Sequence, residues 1–384
     1  MTTNEKALLL HEEWKGKLKT TSKAKVASRE DLALAYTPGV AEPCKVIAAD
    51  PEAAYRYTIK SNTIAVVSDG SAVLGLGNIG PLAAMPVMEG KAVLFKEFGG
   101  VNAFPICLDT QDTQEIIETV VRIAPAFGGI NLEDISAPRC FEIEEALKER
   151  LDIPVFHDDQ HGTAIVVLAG VINALRLTGK KKEDCRVVVN GAGSAGIAIT
   201  KLLLTYGFSH VTMCDKSGIL SKGAEGLNWM QEKMMDVTNL EHRTGTLADA
   251  MKGADIFVGV SAPGIVTQDM VASMNQDAII FAMANPVPEI MPDLAKAAGA
   301  KVVGTGRSDF PNQVNNVVVF PGIFKGALEG RASAITEEMK LAAAEAIAGL
   351  VDGKDLNDEN ILPEAFDPRV ADVGSSAGKD HIRQ

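Results

Sequence analysis

The sequence predicts an α/β protein of two domains, each built on a largely parallel sheet covered by helices. Its 384 residues suffice for two domains or three, at roughly 150 residues per domain. From residue 63 onward, short β-branched runs alternate with amphipathic stretches, which is the pattern of βαβ units. A glycine-rich turn at 191–196 separates one such run from a helical stretch. That arrangement indicates a doubly wound second domain.

The N-terminal part begins with charged, helix-like sequence over residues 1–60, and the segment YTPG at 36–39 interrupts it with a turn. Buried strands are predicted beyond it at 63–68, 101–108, 129–132 and 153–156. Helices are predicted at 113–123, 140–151 and about 163–177. The alternation places these strands in one parallel sheet.

The C-terminal part begins after a polar break at 178–184. Strands are predicted at 186–190, 210–214, 256–260, 278–282, 301–303 and 317–320, with a helix at 197–205 after the first. The alanine-rich segment 331–351 predicts a further helix. The polar tail from Asp352 is expected to be loose.

Composition narrows the possible functions. A formal net charge of −13 repels phosphate backbones and anionic lipid, so we expect no nucleic-acid or membrane partner. Five scattered cysteines without a C-x-x-C pair are typical of reduced thiols. The charged start of the chain does not predict a signal peptide. The apolar stretch 164–175 is shorter than the roughly 18 residues of a membrane span. We therefore expect a soluble, cytoplasmic protein.

The first candidate site is the sequence GAGSAG after the strand RVVVN. Gly191 permits a tight turn, Gly193 lets the backbone approach a pyrophosphate, and Gly196 lets helix and strand pack closely. Asp215 follows Gly196 by 19 residues, at the end of the next strand, where an acid binds a ribose hydroxyl. We interpret this as a Rossmann-type dinucleotide site, and a plain glycine-rich turn is the alternative. Its residues are Gly191, Ala192, Gly193, Ser194, Ala195, Gly196 and Asp215.

A second match to the same glycine pattern, GLGNIG at 75–80, lacks the supporting context. The position where an acid is needed is Gly99, and Pro81 and Pro86 interrupt the expected helix. We interpret this segment as a tight turn of the first domain and not as a second nucleotide site.

Two acidic pairs, Glu133-Asp134 and Asp158-Asp159, follow predicted strands. The carboxyl ends of parallel strands are where open α/β sheets bind their ligands. Carboxylate oxygens at such an edge suit Mg²⁺ or Mn²⁺, although most acidic doublets are solvated loop ends. His157 and His161 flank the second pair, and both metal ligation and a supporting or packing role remain open for them.

Five further residues stand out. Lys91 precedes an apolar run, where desolvation lowers the pKa of a lysine toward that of a working base; the alternative is a surface lysine. Tyr36 lies in the YTPG turn, where packing of its ring is the alternative role. Asn285 follows a predicted strand, and Asn315 and Asn316 precede one. Amides there are usually turn formers, but they also donate to carboxylates.

Together these segments resemble the malic enzyme family, in its short bacterial form, from about residue 36 to residue 368. The motifs that carry the resemblance are YTPGVA (36–41), VVSDGSAVLGLGNIGPLAAMPVMEGK (66–91), INLEDI (130–135), FHDDQHGTA (156–164), GAGSAG (191–196), ANPVPE (284–289) and NNVVVFPG (315–322).

The resemblance implies oxidative decarboxylation of L-malate to pyruvate and CO₂, with a nicotinamide cofactor and Mg²⁺ or Mn²⁺. It implies a substrate- and metal-binding domain at 1–161 and a Rossmann domain with a C-terminal helical segment at 162–384. It also implies a homodimer, with the segment around Tyr36 near the interface. Because Asp215 repels a 2′-phosphate, we expect NAD, with NADP as the alternative that Lys216 and Ser217 leave open.

The resemblance also assigns roles to residues. Tyr36 matches the general acid and Lys91 the general base, with Asp158 as a group that orients Lys91. The remaining matches are Glu133, Asp134 and Asp159 for the metal, and Asn285, Asn315 and Asn316 for the nicotinamide and the substrate carboxylate.

One departure concerns the loop before GLGNIG. Larger relatives carry an arginine there that binds the substrate carboxylate, whereas this chain has SAVL at 71–74. The cation that pairs with the second carboxylate of malate is therefore not assigned. Two other functions are considered: a malolactic-type lyase with bound NAD, and a non-catalytic NAD-binding regulator.

Overall fold

The computed structural model describes residues 1–380, and its first sixty residues lie on the outside of the fold. None of residues 1–62 is buried. The predicted turn at 36–39 separates the second helix from the third. The elements of this segment are α1 (Thr3–Trp14), α2 (Arg29–Ala35), α3 (Ala41–Ala49) and α4 (Ala54–Tyr57), with 3₁₀ helices at Pro51–Ala53 and Ile59–Asn62.

The first sheet is parallel, as predicted. Its strands in the described chain are β1 (Thr63–Ser68), β2 (Asn102–Cys107), β3 (Gly129–Leu132) and β4 (Val155–His157), in the order β2-β1-β3-β4. The connecting helices are α5 (Gly80–Gly99), α6 (Thr113–Ile123) and α7 (Arg139–Arg150), with a 3₁₀ helix at Ala124–Ala126. All four strands run in one direction, so the segments after β1, β3 and β4 meet at one edge.

Helix α5 corrects one expectation, because Pro81 and Pro86 do not interrupt it. Pro81 lies in the first turn, where its missing N–H group is not needed. The carbonyl of Pro86 accepts a hydrogen bond from Lys17 Nζ at 2.6 Å. Before the helix, Gly75 and Gly77 have positive φ and Val73 pairs with Gly77. The segment 75–80 is thus a tight turn, as the sequence predicts.

Helix α8 (Asp158–Thr178) joins the two sheets. It begins five residues earlier than predicted, so Asp158 and Asp159 belong to its first turn rather than to a loop. Ile165, Val167 and Leu168 are fully buried between the sheets. By length and composition the 21-residue helix could cross a membrane, but two-thirds of its most apolar window is buried inside the fold, as in the core helix of a globular protein. The predicted division at 161/162 falls within this helix and stays a prediction.

The second sheet has the doubly wound arrangement. Its described strands are β5 (Arg186–Asn190), β6 (His210–Asp215), β7 (Gly218–Ile219), β8 (Ile256–Gly259), β9 (Ala278–Ala282) and β10 (Ala300–Thr305). They are ordered β10-β9-β8-β5-β6-β7, and only the short β7 is antiparallel. The helices are α9 (Ser194–Tyr206), α10 (Trp229–Met234), α11 (Leu247–Met251), α12 (Gln268–Ala272) and α13 (Pro292–Ala297).

The predicted strand at 317–320 is wrong. A 3₁₀ helix occupies Asn316–Val318, and α14 (Phe320–Glu329) begins directly after it. Val317, Val318 and Phe320 are all buried, and a short run that is buried on every side has no periodicity to distinguish a strand from a helix.

The C-terminal region also departs from expectation. Helix α15 (Glu337–Gly349) begins later than predicted, since the Thr336 hydroxyl caps it by accepting the Met339 N–H at 3.2 Å. The described part of the tail is not loose, since α16 (Arg369–Asp380) packs on α14; residues 381–384 lie outside the described residues. A Cβ atom on Gly326 would lie 2.4 Å from the Ser375 carbonyl oxygen, so backbone meets backbone there. Because this packing depends on glycines, which produce no apolar periodicity, the sequence pattern did not predict it.

Candidate active site

Three carboxylates converge at the edge where β3 and β4 end. Glu133 and Asp134 directly follow β3, and Asp159 lies in the first turn of α8. One oxygen from each lies within 4.8 Å of the other two. The backbone N–H of Asp134 donates to Asp159 Oδ2 at 2.7 Å, with Asp134 in the left-handed region at φ 54°. The structure thus brings together the residues predicted as metal ligands.

Burial makes this cluster electrostatically unfavourable without a cation. Glu133 and Asp134 are each only 5% exposed. Desolvation, together with repulsion from Asp159, raises the pKa of Asp134 to about 9 and that of Glu133 to about 7. Hard oxygen donors held close together in this way suit a divalent cation such as Mg²⁺ or Mn²⁺. The donor set therefore fits the predicted metal.

Lys91 lies beside the cluster on α5. Its Nζ donates to Asp158 Oδ2 at 2.5 Å and lies 3.1 Å from Glu133 Oε1. Nζ also lies over the ring of Phe320, 4.0 Å from the ring centroid. Lys91 is only 8% exposed and Asp158 is fully buried, so the ammonium and the carboxylates interact in a poorly solvated space.

The expected lowering of the pKa of Lys91 is wrong for this arrangement. Burial alone does lower it, but Asp158 and Glu133 outweigh burial, and the pKa of Lys91 is raised. Desolvation raises the pKa of Asp158 to about 7, against the opposing effect of Lys91. The sequence shows that the lysine precedes an apolar run, but not which carboxylates surround it.

The predicted amides divide into two groups. Asn316 Nδ2 donates to Asp158 Oδ2 at 2.5 Å, so Asn316 belongs to the Lys91 cluster. Asn315 Oδ1 instead accepts the Val317 N–H at 3.0 Å and caps the 3₁₀ helix. Asn285 is half-buried next to Gly306, and its side-chain amide makes no hydrogen bond to another residue of the described chain.

Tyr36 lies apart from these groups. Its side chain is 67% exposed on the turn between α2 and α3. No hydrogen bond or ring contact joins that side chain to the rest of the described chain. The structure does not bring Tyr36 into contact with Lys91 within one subunit.

The glycine loop between β5 and α9 has the form that the sequence predicts. Gly191 has φ 112°, and a Cβ atom there would lie 2.4 Å from the Val260 carbonyl oxygen. A Cβ on Gly196 would lie 1.7 Å from the Gly191 carbonyl oxygen, whereas one on Gly193 meets nothing within 4 Å. Gly191 and Gly196 are thus required by close packing, and Gly193 leaves space above the loop.

That space is part of a cavity of about 670 Å³. The cavity reaches Asp215 at the end of β6 and Ala137, three residues beyond Asp134. Asp215 Oδ1 accepts hydrogen bonds from the N–H and the hydroxyl of Ser217, at 2.7 and 2.5 Å. The segment that follows β3 therefore carries Glu133 and Asp134 of the carboxylate cluster and, at Ala137, part of the wall of the nucleotide cavity.

Three residues near the cluster were not predicted from the sequence as partners. Asn131 Nδ2 donates to Glu133 Oε2 at 2.9 Å; its position two residues before Glu133 on a strand is a usable signal, because such residues share a face. Phe320 and Glu144 come from α14 and α7, and no local pattern indicates their contacts.

Comparisons with known proteins agree with this geometry. The family model described as "Malic enzyme, N-terminal domain" matches residues 15–115 and 110–148, and that described as "Malic enzyme, NAD binding domain" matches residues 160–374.

Relatives and solved structures match over nearly the whole chain. The "Bifunctional malic/malolactic enzyme" of Bacillus subtilis is 58% identical over 98% of this chain and 92% of its own length. The "NAD-dependent malic enzyme" of Geobacillus stearothermophilus is 59% identical over 93% of this chain and 74% of its own length. The crystal structure of malic enzyme from Pyrococcus horikoshii has a TM-score of 0.96 at 49% identity, covering 99% of this chain and 90% of that one.

Proposed function

The chain belongs to the malic enzyme family, and on this basis we propose how its residues carry out the oxidative decarboxylation of malate to pyruvate and CO₂ with reduction of NAD(P)⁺. One observation supports the proposal above the others. Lys91 Nζ lies 2.5 Å from Asp158 Oδ2 and 3.1 Å from Glu133 Oε1, at the edge of a three-carboxylate cluster, and the nucleotide cavity reaches Ala137, three residues beyond Asp134. A base, a cation site and a hydride acceptor can therefore share one substrate.

We propose that Glu133, Asp134 and Asp159 hold Mg²⁺ or Mn²⁺. The support is their mutual distance within 4.8 Å and the raised pKa values of Glu133 and Asp134. When bound, such a cation polarises the 2-hydroxyl of malate and offsets the carboxylate charge, while NAD(P)⁺ accepts the hydride from C2.

Lys91 is the proposed general base. Nζ acts in its neutral amine form, because the carboxylate charge that raises the pKa of Lys91 would be offset by a cation held at Glu133. The amine takes the proton from the 2-hydroxyl as the hydride leaves C2. Loss of CO₂ from the resulting β-keto acid gives the enolate, and the protonated Nζ returns its proton to the enolate oxygen to give the enol of pyruvate. Asp158 orients Nζ and Asn316 holds Asp158, since Lys91 Nζ and Asn316 Nδ2 both donate to Asp158 Oδ2. Asn285 and Asn315 are proposed to donate to the substrate carboxylate and the nicotinamide, for which the unpaired amide of Asn285 is available.

Tyr36 is the proposed acid that protonates C3 of the enol. Its exposure of 67% places it in a segment that nothing in its own subunit covers. We propose a homodimer in which residues 1–62 contribute to the interface. No residue of this segment is buried. Its apolar residues Leu8, Leu34 and Trp14 expose 74%, 71% and 50% of their surface, and an interface would cover them.

The proposed cofactor is NAD, with NADP as the alternative. Asp215 Oδ2 is left free by the two bonds from Ser217 to Oδ1, so it can accept a bond from a ribose hydroxyl and would repel a 2′-phosphate. We further propose a cytoplasmic enzyme with no nucleic-acid or membrane partner, on the evidence of the −13 charge.

Initial rates of NAD⁺ and NADP⁺ reduction with malate, each with Mn²⁺ and with a chelator, test this proposal. We expect reduction to depend on the metal and to be faster with NAD⁺. Metal-independent turnover would contradict the cation site. Nucleotide binding without any turnover would favour a non-catalytic regulator.

A second candidate function is malolactic activity, because the Bacillus subtilis relative carries that name. Lactate assayed in the same reactions distinguishes the two functions. Lactate formed from malate without net NADH would indicate the malolactic reaction.

A further inference from the structure

His157 is buried without any hydrogen-bond partner for its ring. The residue ends β4 and is 0% exposed, and neither Nδ1 nor Nε2 has a partner among the described residues. A buried polar group left unpaired destabilises the folded state. An apolar side chain would fill the same space without that cost, so the imidazole at this position requires an explanation.

The polar group that Nδ1 faces is Asp159. His157 Nδ1 lies 3.9 Å from Asp159 Oδ2, which is too far for a hydrogen bond. The Asp159 side chain is 30% exposed whereas that of His157 is fully buried, and Asp159 Oδ2 already accepts the Asp134 N–H at 2.7 Å, so a bond from His157 would be the second to this oxygen. A shift of roughly 1 Å would bring the two atoms to bonding distance.

His157 is held at its backbone by Glu144. The His157 N–H donates to Glu144 Oε1 at 3.1 Å, and the same carboxylate accepts His161 Nε2 at 2.8 Å. The other nitrogen of His161, Nδ1, lies 3.0 Å from Lys340 Nζ. Both ring nitrogens of His161 are therefore occupied. Glu144 thus joins α7 to the end of β4 and the first turn of α8.

A neighbouring carboxylate of the cluster already has a comparable donor. Asn131, fully buried on β3, donates from Nδ2 to Glu133 Oε2 at 2.9 Å. Carboxylates that bind metals are usually held by such donors, and loss of one typically weakens metal binding 10- to 100-fold.

We propose that His157 is a positioning residue for Asp159: its Nδ1–H donates to Oδ2 when the cluster holds a cation, and Glu144 fixes the backbone from which the ring projects. The proposal rests on the cation site proposed above. It assigns different roles to the two histidines of the FHDDQHGTA segment, since His157 holds a carboxylate of the cluster while His161 joins Glu144 to α15.

Mn²⁺ binding, measured by electron paramagnetic resonance titration on the full chain, tests the proposal. In His157→Phe we expect the Kd for Mn²⁺ to rise 10- to 100-fold, while the metal-free melting temperature stays the same or rises because an unpaired polar group is removed. His157→Gln retains an N–H donor and should recover part of the affinity. His210→Phe is the control; His210 pairs with Glu241 and is 45% exposed.

The outcomes separate the two proposals. Wild-type protein that does not bind Mn²⁺ would overturn the cation site itself. Wild-type binding with an unchanged Kd in His157→Phe would overturn only the role of His157, as would equal losses in His157→Phe and His157→Gln. If His157→Phe does not fold, the comparison of His157→Gln with wild type decides. A Kd for Mn²⁺ within tenfold of wild type would support the proposal, because the glutamine retains an N–H donor. A Kd more than tenfold higher would contradict it.

Discussion

At the scale of single residues, the site is dominated by the charge around Lys91. One ammonium group faces Asp158 and Glu133 within about 3 Å, and its pKa is raised as a result. Phe320 closes the other side, 4.0 Å from Nζ, and a cation over an aromatic face is further stabilised. The position of the ammonium is thus fixed by three elements, α5, α8 and α14.

Replacing Lys91 by Met should remove the base while retaining the bulk of the side chain. We expect kcat to fall by about 10²- to 10⁴-fold, the usual contribution of a general base, with NAD⁺ affinity unchanged. Steady-state rates and NAD⁺ fluorescence titration measure the two effects. Lys180→Met is the matched control, because that lysine is also largely buried but pairs with Asp255 in the second domain. A near-normal rate in Lys91→Met would rule out the base assignment.

The pH dependence of stability follows from the cluster carboxylates. Burial raises the pKa of Asp134 to about 9 and of Glu133 to about 7, against roughly 4 in an unfolded chain. Between these values the folded state binds more protons than the unfolded state. Stability of the metal-free protein should therefore increase as the pH is lowered from about 9 to about 6.

Asp134→Asn should stabilise the metal-free protein at pH 8, by roughly 1–3 kcal/mol. With its pKa raised to about 9, the buried carboxyl must take up a proton on folding at this pH, and the amide removes that requirement. It should also abolish the further stabilisation that Mn²⁺ gives to wild type. Chemical unfolding with chelator and with Mn²⁺ measures both effects. Asp249→Asn is the control. Asp249 is exposed and its carboxyl pKa is lowered, so this variant should not be stabilised and should keep the stabilisation by Mn²⁺. A destabilised Asp134→Asn protein in chelator would show that the carboxylate is not repelled as described.

At the scale of elements, the glycine loop after β5 shows two different requirements. Gly196 is required because α9 begins against the Gly191 carbonyl, whereas Gly193 has open space. The first requirement concerns packing within the protein, and the second concerns room for a ligand.

Substitution of these glycines by alanine should separate the two requirements. Gly196→Ala should lower both stability and NAD⁺ affinity, since its Cβ would lie 1.7 Å from the Gly191 carbonyl oxygen. Gly193→Ala should fold normally and lose only NAD⁺ affinity, by about tenfold or more if the backbone contacts a pyrophosphate. Thermal unfolding and NAD⁺ titration measure these effects. Gly349→Ala, with open space around its Cβ position, is the control. Undiminished NAD⁺ binding in Gly193→Ala would place the cofactor elsewhere.

At the scale of the whole molecule, α8 and the N-terminal segment determine how the parts are joined. Helix α8 carries Asp158 and Asp159 at its start and passes into the core between the two sheets. The carboxylate cluster and the hydrophobic core are therefore linked by one buried helix. Residues 1–62, in contrast, have no core of their own.

Leu34→Glu should disrupt the proposed homodimer. Leu34 lies on α2, two residues before Tyr36, and is 71% exposed; a charge in an apolar interface is unfavourable. Light scattering with size exclusion should give a mass of about twice 40.6 kDa for wild type and about 40.6 kDa for the variant. Leu240→Glu is the control and should remain dimeric. Leu240 is also an exposed leucine, at 62%, but it lies in the second domain. A monomeric wild type would refute the proposed assembly.

Most strands and the nucleotide loop could be predicted from the amino-acid sequence. Buried β-branched runs such as 63–68 and 186–190 are strands at the predicted residues, because short apolar runs bounded by turn residues are typical of buried strands. The loop at 191–196 could be predicted equally well, since Gly191 and Gly196 are required by close packing and Gly193 leaves room for a ligand.

The other features depend on contacts between residues far apart in the chain. The run at 317–320 is helical, α8 begins at Asp158, and α16 packs on α14. The raised pKa of Lys91, the contact with Phe320 and the unpaired ring of His157 arise from residues far apart in the chain. Apolar patterns record that a residue is buried, whereas charge, pKa and hydrogen bonding depend on which neighbours the fold places within a few ångströms.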